Sequence, residues 1–454
     1  FIMVAVPQLG TPKAIATLLH GEGMPFDWFP FLLTAQESRT VAENMASGYS
    51  LLPSAEYFNR VLDPVVEFDP GTPTLAPYVS AYGVAVTSET ELTHFLTGVE
   101  GRAKPTFADL LTPNILNSAL LTQAEENHAG LDVWQAPDSI EVTQIAGWGL
   151  DTVRGVRYFE KVLSDSIFCA TGCTILDHEP LFTIDGDVTV VTPSAIAQSD
   201  AKLFLNIKNL NDSLSLDINH LDILEAPPLL DFLSAKIKEV IFSSQFIGTS
   251  LPVPDPADKP SLRLKIHSPV SIDIYDANGK HTGIATNTPF GFPLIEEQIP
   301  NSYYFEWGEG KYVGTSAEGF TTLVLNGEGS GTFTLEVENV GGGSVGPHTF
   351  SDVPVTANTL ASLIIEDPEL PLPDLKLDIN GDGLTDANIS SGEGISTEEL
   401  LGILRGMIKG LHLPTKKEAR LLKMVDKLEK IIEKEFKKEK QKKERVDKEE
   451  VKEF

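Results

Sequence analysis

The first half of the chain alternates short apolar runs with segments whose apolar residues recur at helical spacing. Strands are predicted for IMVAVPQL (2–9), VTQIAGWG (142–149) and FTIDGDVTVV (182–191), and helices for NILNSALLTQAEENHAGL (114–131) and PPLLDFLSAKIKEVIF (227–242). This alternation predicts an α/β fold over residues 1–247. Residues 63–105 are rich in Pro, Gly and aromatics without clear periodicity, which favours a lid or cap insertion reaching to about residue 135.

From about residue 263 the pattern changes to period two. A proline-rich linker, residues 248–262 with PVPDPADKP, precedes the change. The pair Asn278-Gly279 between alternating residues predicts a β-hairpin, and FTTLVLNGE (320–328), GTFTLEVENV (331–340) and TLASLIIED (359–367) predict further strands. We therefore expect an all-β sandwich over residues 263–366, followed by a second proline-rich linker, residues 367–395.

The remaining segment, residues 396–454, predicts a charged helical tail. The capping pattern S-T-E-E starts one helix at Ser396, expected to end near Leu411, and a Lys/Glu-rich helix starts at Thr415. Four apolar residues of the second helix are spaced 4, 3 and 4 apart, a seam that favours pairing with another helix or self-association. They are Leu421, Val425, Leu428 and Ile432.

The charge is strongly acidic and unevenly distributed. The formal net charge is -30, yet residues 415–454 carry 15 Lys and Arg against 11 Asp and Glu. The rest of the chain, residues 1–414, is therefore strongly acidic. This charge argues against nucleic acid as a partner and is typical of a protein secreted into a calcium-rich environment. No uncharged apolar run is long enough to span a membrane. Because the chain starts within a predicted strand and without Met, we expect a truncated N-terminus, and an extracellular or cell-surface location remains compatible with the missing signal peptide.

The two cysteines, Cys169 and Cys173, are close in sequence, in FCATGCTI. Two buried thiols or a small local disulfide both fit this spacing, and export would favour the disulfide. A zinc site is not expected, because no cluster of His accompanies them.

The candidate catalytic residues lie in two segments, GDVTVVTPSA (186–195) and NHLDIL (219–224). Asp187 follows a predicted buried strand within a Gly-containing turn, from which a carboxylate can orient the imidazole of a later His. His220 lies 33 residues after Asp187, in a predicted loop before a helix, and no other His falls between His178 and His267. Asp185 is the rival acid. An acid followed by a base matches the last two members of a triad whose chain order is Ser, Asp, His. Turn capping is the alternative role for the two Asp residues.

Five segments in order resemble the lecithin:cholesterol acyltransferase and lipase family of α/β-hydrolases. They are LGTPKAIATLL, AENMASGYSLLPSAEYF, QIAGWGLDTVRGVRYF, GDVTVV and NHLDIL, and the resemblance covers about residues 1–240. It implies that residues 1–247 are the C-terminal part of an α/β-hydrolase fold, with Asp187 as the catalytic acid and His220 as the base. The family's Ser lies in a GxSxG turn that would precede Phe1. A literal GxSxG around Ser344 is interpreted as a chance match, since no strand-turn-helix context surrounds it.

The resemblance also implies an acyl pocket near AENMASGYSLLPS (42–54). Its floor and rim would include four residues, although ordinary packing is an equally good interpretation. These residues are Met45, Tyr49, Leu51 and Leu52.

LDINGDGLTD (377–386) has the oxygen spacing of a calcium loop. Three side chains at alternating positions, a backbone carbonyl and a later Asp would ligate the ion, and Gly383 permits the sharp turn. The ligands would be Asp378, Asn380, Asp382, the carbonyl of Leu384 and Asp386. Ile389, at the twelfth position, cannot ligate, which favours a single calcium turn, with Glu393 as a further candidate, over a paired EF-hand. A metal-free Asp/Gly-rich linker is the alternative.

Together these features predict a serine hydrolase of the lipase or O-acyltransferase type, acting on lipid or other carboxylic esters, with calcium as a structural cofactor only. The 454 residues alone are expected to be inactive because the nucleophile lies upstream. The alternative is a non-catalytic surface or adhesion protein built on a degenerate hydrolase scaffold.

Overall fold

The computed structural model describes residues 1–23, 26–28, 31–163, 173–253, 261–267, 269–285, 293–316, 321–340, 347–366 and 371–450. Across these residues the chain is mixed α/β, with several sheets and twelve α-helices. It forms two compact units. The first comprises Phe1–Lys265, Lys280–Glu318 and Asn339–Ser344, and the second comprises Ile266–Gly279, Gly319–Glu338 and Val345–Phe454.

A mainly parallel sheet lies at the centre of the first unit. Strands β1 (Ile2–Val4), β6 (Thr143–Trp148) and β9 (Ala201–Asn206) are parallel, and β10 (Ile247–Gly248) pairs antiparallel with β9. Every residue of β6 is buried, including the polar residues Thr143 and Gln144. Helices α9 (Ile207–Leu214) and α10 (Pro227–Ile237) contribute Leu210, Leu229 and Phe232 to the core beside this sheet. The predicted strands at residues 2–9 and 142–149 and the helix at 227–242 are thus present, over the shorter ranges 2–4, 143–148 and 227–237. Of the strand predicted at residues 182–191, only residues 182 and 183 lie in a strand, and a turn follows.

A second sheet of the first unit has the order β5-β4-β7-β8. Its long pair, β7 (Thr152–Leu163) and β8 (Cys173–Thr183), is antiparallel, and β4 (Val66–Phe68) runs parallel to β7. Strand β5 (Ala85–Val86) pairs with β4. The aperiodic residues 63–105 therefore contain strands β4 and β5 together with helices α5 (Ala76–Tyr82) and α6 (Glu89–Thr97).

The first unit contains further helices and short strands outside these two sheets. The helices are α1 (Lys13–His20), α2 (Ala35–Ala42), α3 (Ala46–Tyr49), α4 (Ala55–Arg60), α7 (Ser118–Leu131), α8 (Thr192–Ala195) and a 3₁₀ turn (Ile223–Glu225). The strands are β2 (Phe26–Trp28), β3 (Phe31–Leu33), β13 (His281–Ala285), β14 (Leu294–Glu297), β15 (Tyr303–Trp307) and β16 (Gly310–Ser316). Strand β11 (Ser261–His267) belongs to the first unit up to Lys265.

The second unit is rich in antiparallel strands, as the period-two pattern predicts. In it, β12 (Val270–Asp276), β17 (Thr321–Gly327), β20 (Leu360–Ile365), β21 (Leu375–Asp378) and β22 (Ala387–Ile389) are neighbours in that order, and β18 (Gly331–Val340) pairs with β19 (His348–Val355). The predicted turn at Asn278-Gly279 is confirmed, since Gly279 has φ +77° and its N–H donates to Asp276 O at 3.0 Å. This antiparallel region is sandwich-like, whereas the hydrolase fold of residues 1–247 stays a prediction.

Two helices end the second unit. Helix α11 (Thr397–Gly410) begins at Ser396 with the predicted capping box, and α12 (Thr415–Glu450) follows. Val425 packs with Leu401 and Ile408, so part of the predicted seam pairs with α11, while Leu428 is 44% exposed. No helix in the described part of the chain is long and apolar enough to cross a membrane.

Candidate active site and calcium loop

Strand β6 is followed in the chain by the β7–β8 hairpin. After β8, the chain comes back beside the carboxyl end of β6. Gly149 N–H donates to Ile184 O at 2.9 Å, and Leu150 N–H donates to Gly186 O at 3.2 Å. These bonds join the residues before the hairpin to the residues after it. Leu150 and Asp187 form an isolated parallel bridge. Asp187 is thereby held beside a parallel strand's carboxyl end, the edge at which α/β sheets usually bind ligands.

A tight turn directly after Asp187 fixes its backbone. Val188 has φ +86°, an unusual conformation for a β-branched residue. Its N–H donates to Thr152 Oγ1 at 2.8 Å, and Thr152 Oγ1 donates in turn to Leu150 O at 2.8 Å. Gly186 has no room for a side chain, because a Cβ atom there would lie 2.5 Å from Thr152 Oγ1. The Thr152 hydroxyl therefore supports the strained turn that carries the carboxylate.

The Asp187 carboxylate contacts His220 directly. Asp187 is 1% exposed; its Oδ1 accepts the N–H groups of Thr189 at 3.1 Å and Val190 at 2.7 Å. Its Oδ2 lies 2.9 Å from His220 Nδ1. Because a carboxylate accepts, Nδ1 carries the proton, and in the neutral imidazole Nε2 is then the nitrogen with a free lone pair. Within the described residues, no group forms a hydrogen bond with Nε2. The structure thus brings together the two residues predicted to be acid and base.

The loop that presents His220 is held at both ends. Asn211 accepts the N–H of Ile218 at 3.0 Å and donates to its carbonyl at 2.8 Å, which closes the loop after α9. Asn219 N–H donates to Asp222 Oδ1 at 2.7 Å, and His220 N–H donates to Asp187 O at 3.0 Å. The side chain of His220 is 25% exposed. A base held at one nitrogen and accessible at the other has the geometry that proton transfer requires.

The rival acid, Asp185, faces a different neighbour. Its carbonyl accepts Thr192 N–H at 2.9 Å, its Oδ1 is buried without a hydrogen bond, and its side chain is not bonded to His220. Burial raises the pKa of this carboxyl, while a hydrogen bond from Thr192 lowers it. Geometry therefore favours Asp187 over Asp185 as the partner of His220.

A cavity of about 420 Å³ lies beside the Asp187–His220 pair, within the first unit. Val188 and Thr189, which follow Asp187, contribute to its wall, as do Asn219 and Leu221, which flank His220. A ligand in this cavity would thus contact the turns that hold both residues of the pair.

The residues predicted to line an acyl pocket divide between core and surface. Tyr49 is fully buried, and its hydroxyl donates to Glu43 O at 2.7 Å and accepts Asn117 N–H at 3.0 Å. Leu52 is also buried, whereas Met45 and Leu51 are 37% and 40% exposed. The cavity next to Tyr49 and Leu52 measures only about 10 Å³, and their role in binding stays a prediction.

The predicted calcium loop links β21 to β22 in the second unit and is organised by its own side chains. Asp378 is buried; its Oδ1 accepts Gly381 N–H and its Oδ2 accepts Gly383 N–H, each at 2.7 Å. Asn380 Nδ2 donates to Gly406 O at 3.1 Å. Burial raises the pKa of Asp386, and the charges of Asp378 and Asp382 raise it further.

The remaining calcium-loop positions lie at the surface. Asp382 Oδ1 accepts Leu384 N–H at 2.9 Å, the Leu384 side chain is 64% exposed, and Glu393 is exposed. The described residues contain no group of three or more His, Cys, Asp or Glu side chains placed to hold a metal ion. Calcium binding at this loop stays a prediction.

Two further sequence predictions fall outside the described residues. The disulfide involves Cys169, which the structure does not describe, and Cys173, of which only the backbone at the start of β8 is described. Ser344, the centre of the literal GxSxG, also lies outside.

Sequence reasoning missed three residues that shape the site. Thr152 supports the turn at Val188, Asn211 closes the loop before His220, and Lys13 lines the neighbouring cavity. Lys13 and Thr152 lie within two of the five segments that carry the resemblance, but no local pattern gives their roles, because each of the three acts on residues that only the tertiary fold brings near.

Comparisons with known proteins add little to this geometry. No protein-family model matches the chain, and no curated protein matches it. A solved structure described as "The crystal structure of Tle4-Tli4 complex" is similar to 43% of this chain, with 18% sequence identity and a TM-score of 0.26. The match spans 44% of that structure's chain, less than half of its length.

Proposed function

We propose that residues 1–247 belong to a serine hydrolase of the lipase or O-acyltransferase type, acting on lipid or other carboxylic esters. The observation that carries this proposal is the 2.9 Å contact between Asp187 Oδ2 and His220 Nδ1. A buried carboxylate that orients an imidazole, with the second imidazole nitrogen left free, is the acid-base half of a catalytic triad. Its position at the carboxyl end of a parallel strand agrees with this role.

In the proposed mechanism, the nucleophile is a Ser hydroxyl supplied from outside the 454 residues. His220 Nε2 takes the hydroxyl proton as Ser Oγ attacks the ester carbonyl, and the imidazolium that forms is stabilised by Asp187. The proton then passes to the leaving alkoxide, which departs as an alcohol. Water or a second alcohol, deprotonated by His220, releases the acyl group and restores the Ser hydroxyl.

The test uses the complete natural polypeptide and p-nitrophenyl esters of short and long acyl chains. His220→Ala should lower kcat by several orders of magnitude, since triad members act as a unit. The matched control is His94→Ala, an exposed His on α6, which should leave kcat unchanged. A fluorophosphonate probe should label one Ser in the wild type. If neither turnover nor labelling is detected, the enzyme proposal is rejected in favour of the alternative, a non-catalytic protein built on a hydrolase scaffold.

The geometry itself can be tested in the 454-residue chain, because this test needs no nucleophile. The Nδ1 proton of His220, shared with a buried carboxylate, should give a low-field proton resonance that His220→Ala removes and His94→Ala leaves in place. If the wild type gives no such signal, the Asp187–His220 pair is not formed in solution.

For the second unit we propose that residues 378–386 bind calcium as a structural ion, in an extracellular or cell-surface protein. Support comes from the negative charges near Asp386: burial raises its pKa, and the charges of Asp378 and Asp382 act in the same direction, against the lowering effects of the Ile379 N–H and of Lys409. A cation would relieve this repulsion. The corresponding measurement is argued with the other predictions below.

A further inference from the structure

The cavity beside the Asp187–His220 pair has walls from distant parts of the first unit. Helix α1 contributes Lys13, β8 contributes Phe182 and β14 contributes Glu297. Strand β15 contributes Tyr303, Tyr304, Phe305 and Trp307. Its volume of about 420 Å³ is in the range of small-molecule sites.

The ammonium group of Lys13 has no partner in this cavity. Within the described residues, Lys13 Nζ forms no hydrogen bond and no ion pair. Burial lowers the pKa of Lys13, and the negative charges of Asp187 and Glu297 counteract that shift. The ammonium group thus interacts electrostatically with the carboxylates of Asp187 and Glu297 but is not in contact with either. It can therefore donate hydrogen bonds to a ligand in the cavity.

Carboxylates line another part of the wall. Glu297 Oε1 accepts Tyr304 N–H at 2.7 Å, and its second oxygen has no partner among the described residues. Asp217, which also lines the cavity, has a pKa raised to about 6 by partial burial and by the charges of Glu297 and Asp222, against the lowering effect of a hydrogen bond from the Asn301 backbone.

The other charged groups of the wall are already paired. Lys208 Nζ lies 2.6 Å from Asp212 Oδ2, and Asp151 accepts the Tyr303 hydroxyl at 2.8 Å and Arg263 at 2.6 Å. Lys13, Glu297 and Asp217 are therefore the groups left to contact a ligand.

Aromatic rings supply the apolar part of the wall. Tyr303 and Phe305 are stacked with ring centroids 5.5 Å apart, and Trp307 meets Phe305 edge-on at 6.3 Å. Phe182 lies 5.9 Å from Phe305. Such rings offer flat apolar surfaces against which the C–H face of a ring can pack.

We propose that this cavity binds a neutral, hydroxyl-rich ring, such as a sugar or a cyclic polyol. A free anion would pair with Lys13 but be repelled by Glu297 and Asp217, and a cation would be attracted by the carboxylates but repelled by Lys13. A hydroxyl group suits both, because its oxygen accepts from the ammonium while its proton is donated to a carboxylate. The aromatic wall then takes the ring's C–H face.

Next to the Asp187–His220 pair, such a ring would be the alcohol part of the ester or the acceptor alcohol, and this part of the inference rests on the proposed function. Binding of the ring itself does not rest on it, because no nucleophile and no reaction are needed. The experiment therefore measures binding alone.

The experiment titrates the 454-residue chain with methyl β-glucopyranoside, followed by saturation-transfer NMR. Inorganic phosphate, tetramethylammonium and cyclohexanol serve as the anionic, cationic and hydroxyl-poor comparators. We expect the sugar to bind more tightly than all three. Lys13→Met and Glu297→Gln should each weaken its binding about tenfold or more, since each removes a hydrogen bond to a charged group. The matched controls, Lys236→Met and Glu296→Gln, alter groups outside the cavity and should have no effect.

Because Lys13→Met or Glu297→Gln can fail to fold, a third variant, Leu221→Trp, tests the same cavity from a surface position. Leu221 is 91% exposed and lines the cavity, so a larger side chain there should block access without disturbing the core. The proposal is overturned if the sugar does not bind, if phosphate, tetramethylammonium or cyclohexanol binds more tightly than the sugar, or if affinity for the sugar is unchanged in all three cavity variants. Loss of ester turnover in His220→Ala, with sugar binding absent, would leave the proposed function standing and reject this inference alone.

Discussion

Gly147 and Asp187 approach so closely that a Cβ atom on Gly147 would lie 2.7 Å from Asp187 Cβ. The same atom would lie 2.6 Å from Ile207 Cδ1. A side chain at the end of β6 would therefore displace either the turn that carries the carboxylate or the start of α9. The glycine is required here by the close approach of its neighbours.

Gly147→Ala should consequently destabilise the first unit and separate Asp187 from His220. Overpacking of a tight site costs about 1–3 kcal/mol in the free energy of unfolding. Chemical denaturation measures this loss, and the low-field proton of His220 should weaken or vanish. Gly130→Ala in α7 is the matched control, because nothing lies within 4 Å of the added Cβ. If Gly147→Ala behaves like Gly130→Ala, the contact is not restrictive in solution.

Asp187→Asn and Asp185→Asn should differ sharply in the complete polypeptide. The first leaves His220 beside an amide that does not stabilise imidazolium, and the expected loss in kcat is on the order of 10⁴-fold. The second should change kcat little, since Asp185 is not bonded to His220. Steady-state kinetics on p-nitrophenyl esters distinguishes the two. The reverse ranking would move the acid to Asp185.

Stability provides a second comparison of the same two variants. Because burial raises the folded-state pKa of Asp185, the stability linked to its protonated form is present below its usual pKa of 3.8 and is lost as the pH rises through the folded value. At pH 7, Asp185→Asn should thus unfold at an equal or higher denaturant concentration than wild type, whereas Asp187→Asn weakens three hydrogen bonds and should unfold at a lower one.

Much of the fold was predictable because local patterns agreed with it. The alternating residues of β17, β18 and β20 and the capping pattern at Ser396 gave the right elements, since each element's signal lies within its own few residues. The chain order of Asp187 and His220 likewise predicted a pair that the structure places in contact.

What could not be predicted depends on contacts between distant residues. The β7–β8 hairpin returns Asp187 to the end of β6, and no pattern around Asp187 specifies that return. Lys13 and Glu297 are separated by most of the first unit in sequence, yet they line one cavity. Residues 63–105 gave no clear pattern because their elements are short: strands of two and three residues and helices of seven and nine.

His20 should make the first unit sensitive to acid. Its Nδ1–H donates to Leu110 O at 2.6 Å and its Nε2 accepts the Tyr158 hydroxyl at 2.7 Å, so the neutral ring is satisfied and fully buried. Burial lowers its pKa well below 6.5, and the adjacent His178 lowers it further. A depressed pKa means that the unfolded state binds the proton first, so stability is complete above about pH 6.5 and falls below it.

Denaturation of the wild type at pH 7.5 and pH 5 measures this loss, which for one proton reaches about 1.4 kcal/mol per pH unit. Asp217, with a pKa of about 6, acts in the opposite direction over the same interval. His20→Asn is therefore the informative variant: it should be less stable than wild type at pH 7.5 but lose less on acidification. An equal loss in both proteins would assign the acid sensitivity to other groups.

Calcium should order the segment that contains Asp378, Asp382 and Asp386. The pKa of Asp386 is raised by burial and also by the charges of Asp378 and Asp382. Without a cation, the segment between Pro371 and Ser396 should open to proteases, and binding should protect it. The twelfth loop position is Ile389, which lacks a ligand, so we expect a dissociation constant on the order of 10⁻⁴ M. Limited proteolysis across a calcium titration, with mass mapping, measures both.

Two substitutions separate binding from general charge. Asp382→Asn removes a predicted ligand and should shift protection to higher calcium concentrations. Asp374→Asn, whose carboxylate accepts the Ser390 hydroxyl at 2.7 Å and is not a predicted ligand, removes the same charge a few residues away and should leave the titration unchanged. Magnesium should protect poorly, because this ion demands near-ideal octahedral geometry that a loop lacking one ligand does not provide. Equal cleavage between Pro371 and Ser396 with and without calcium would refute the site. If both variants shift the protective calcium concentration equally, calcium acts only by nonspecific screening of an acidic segment.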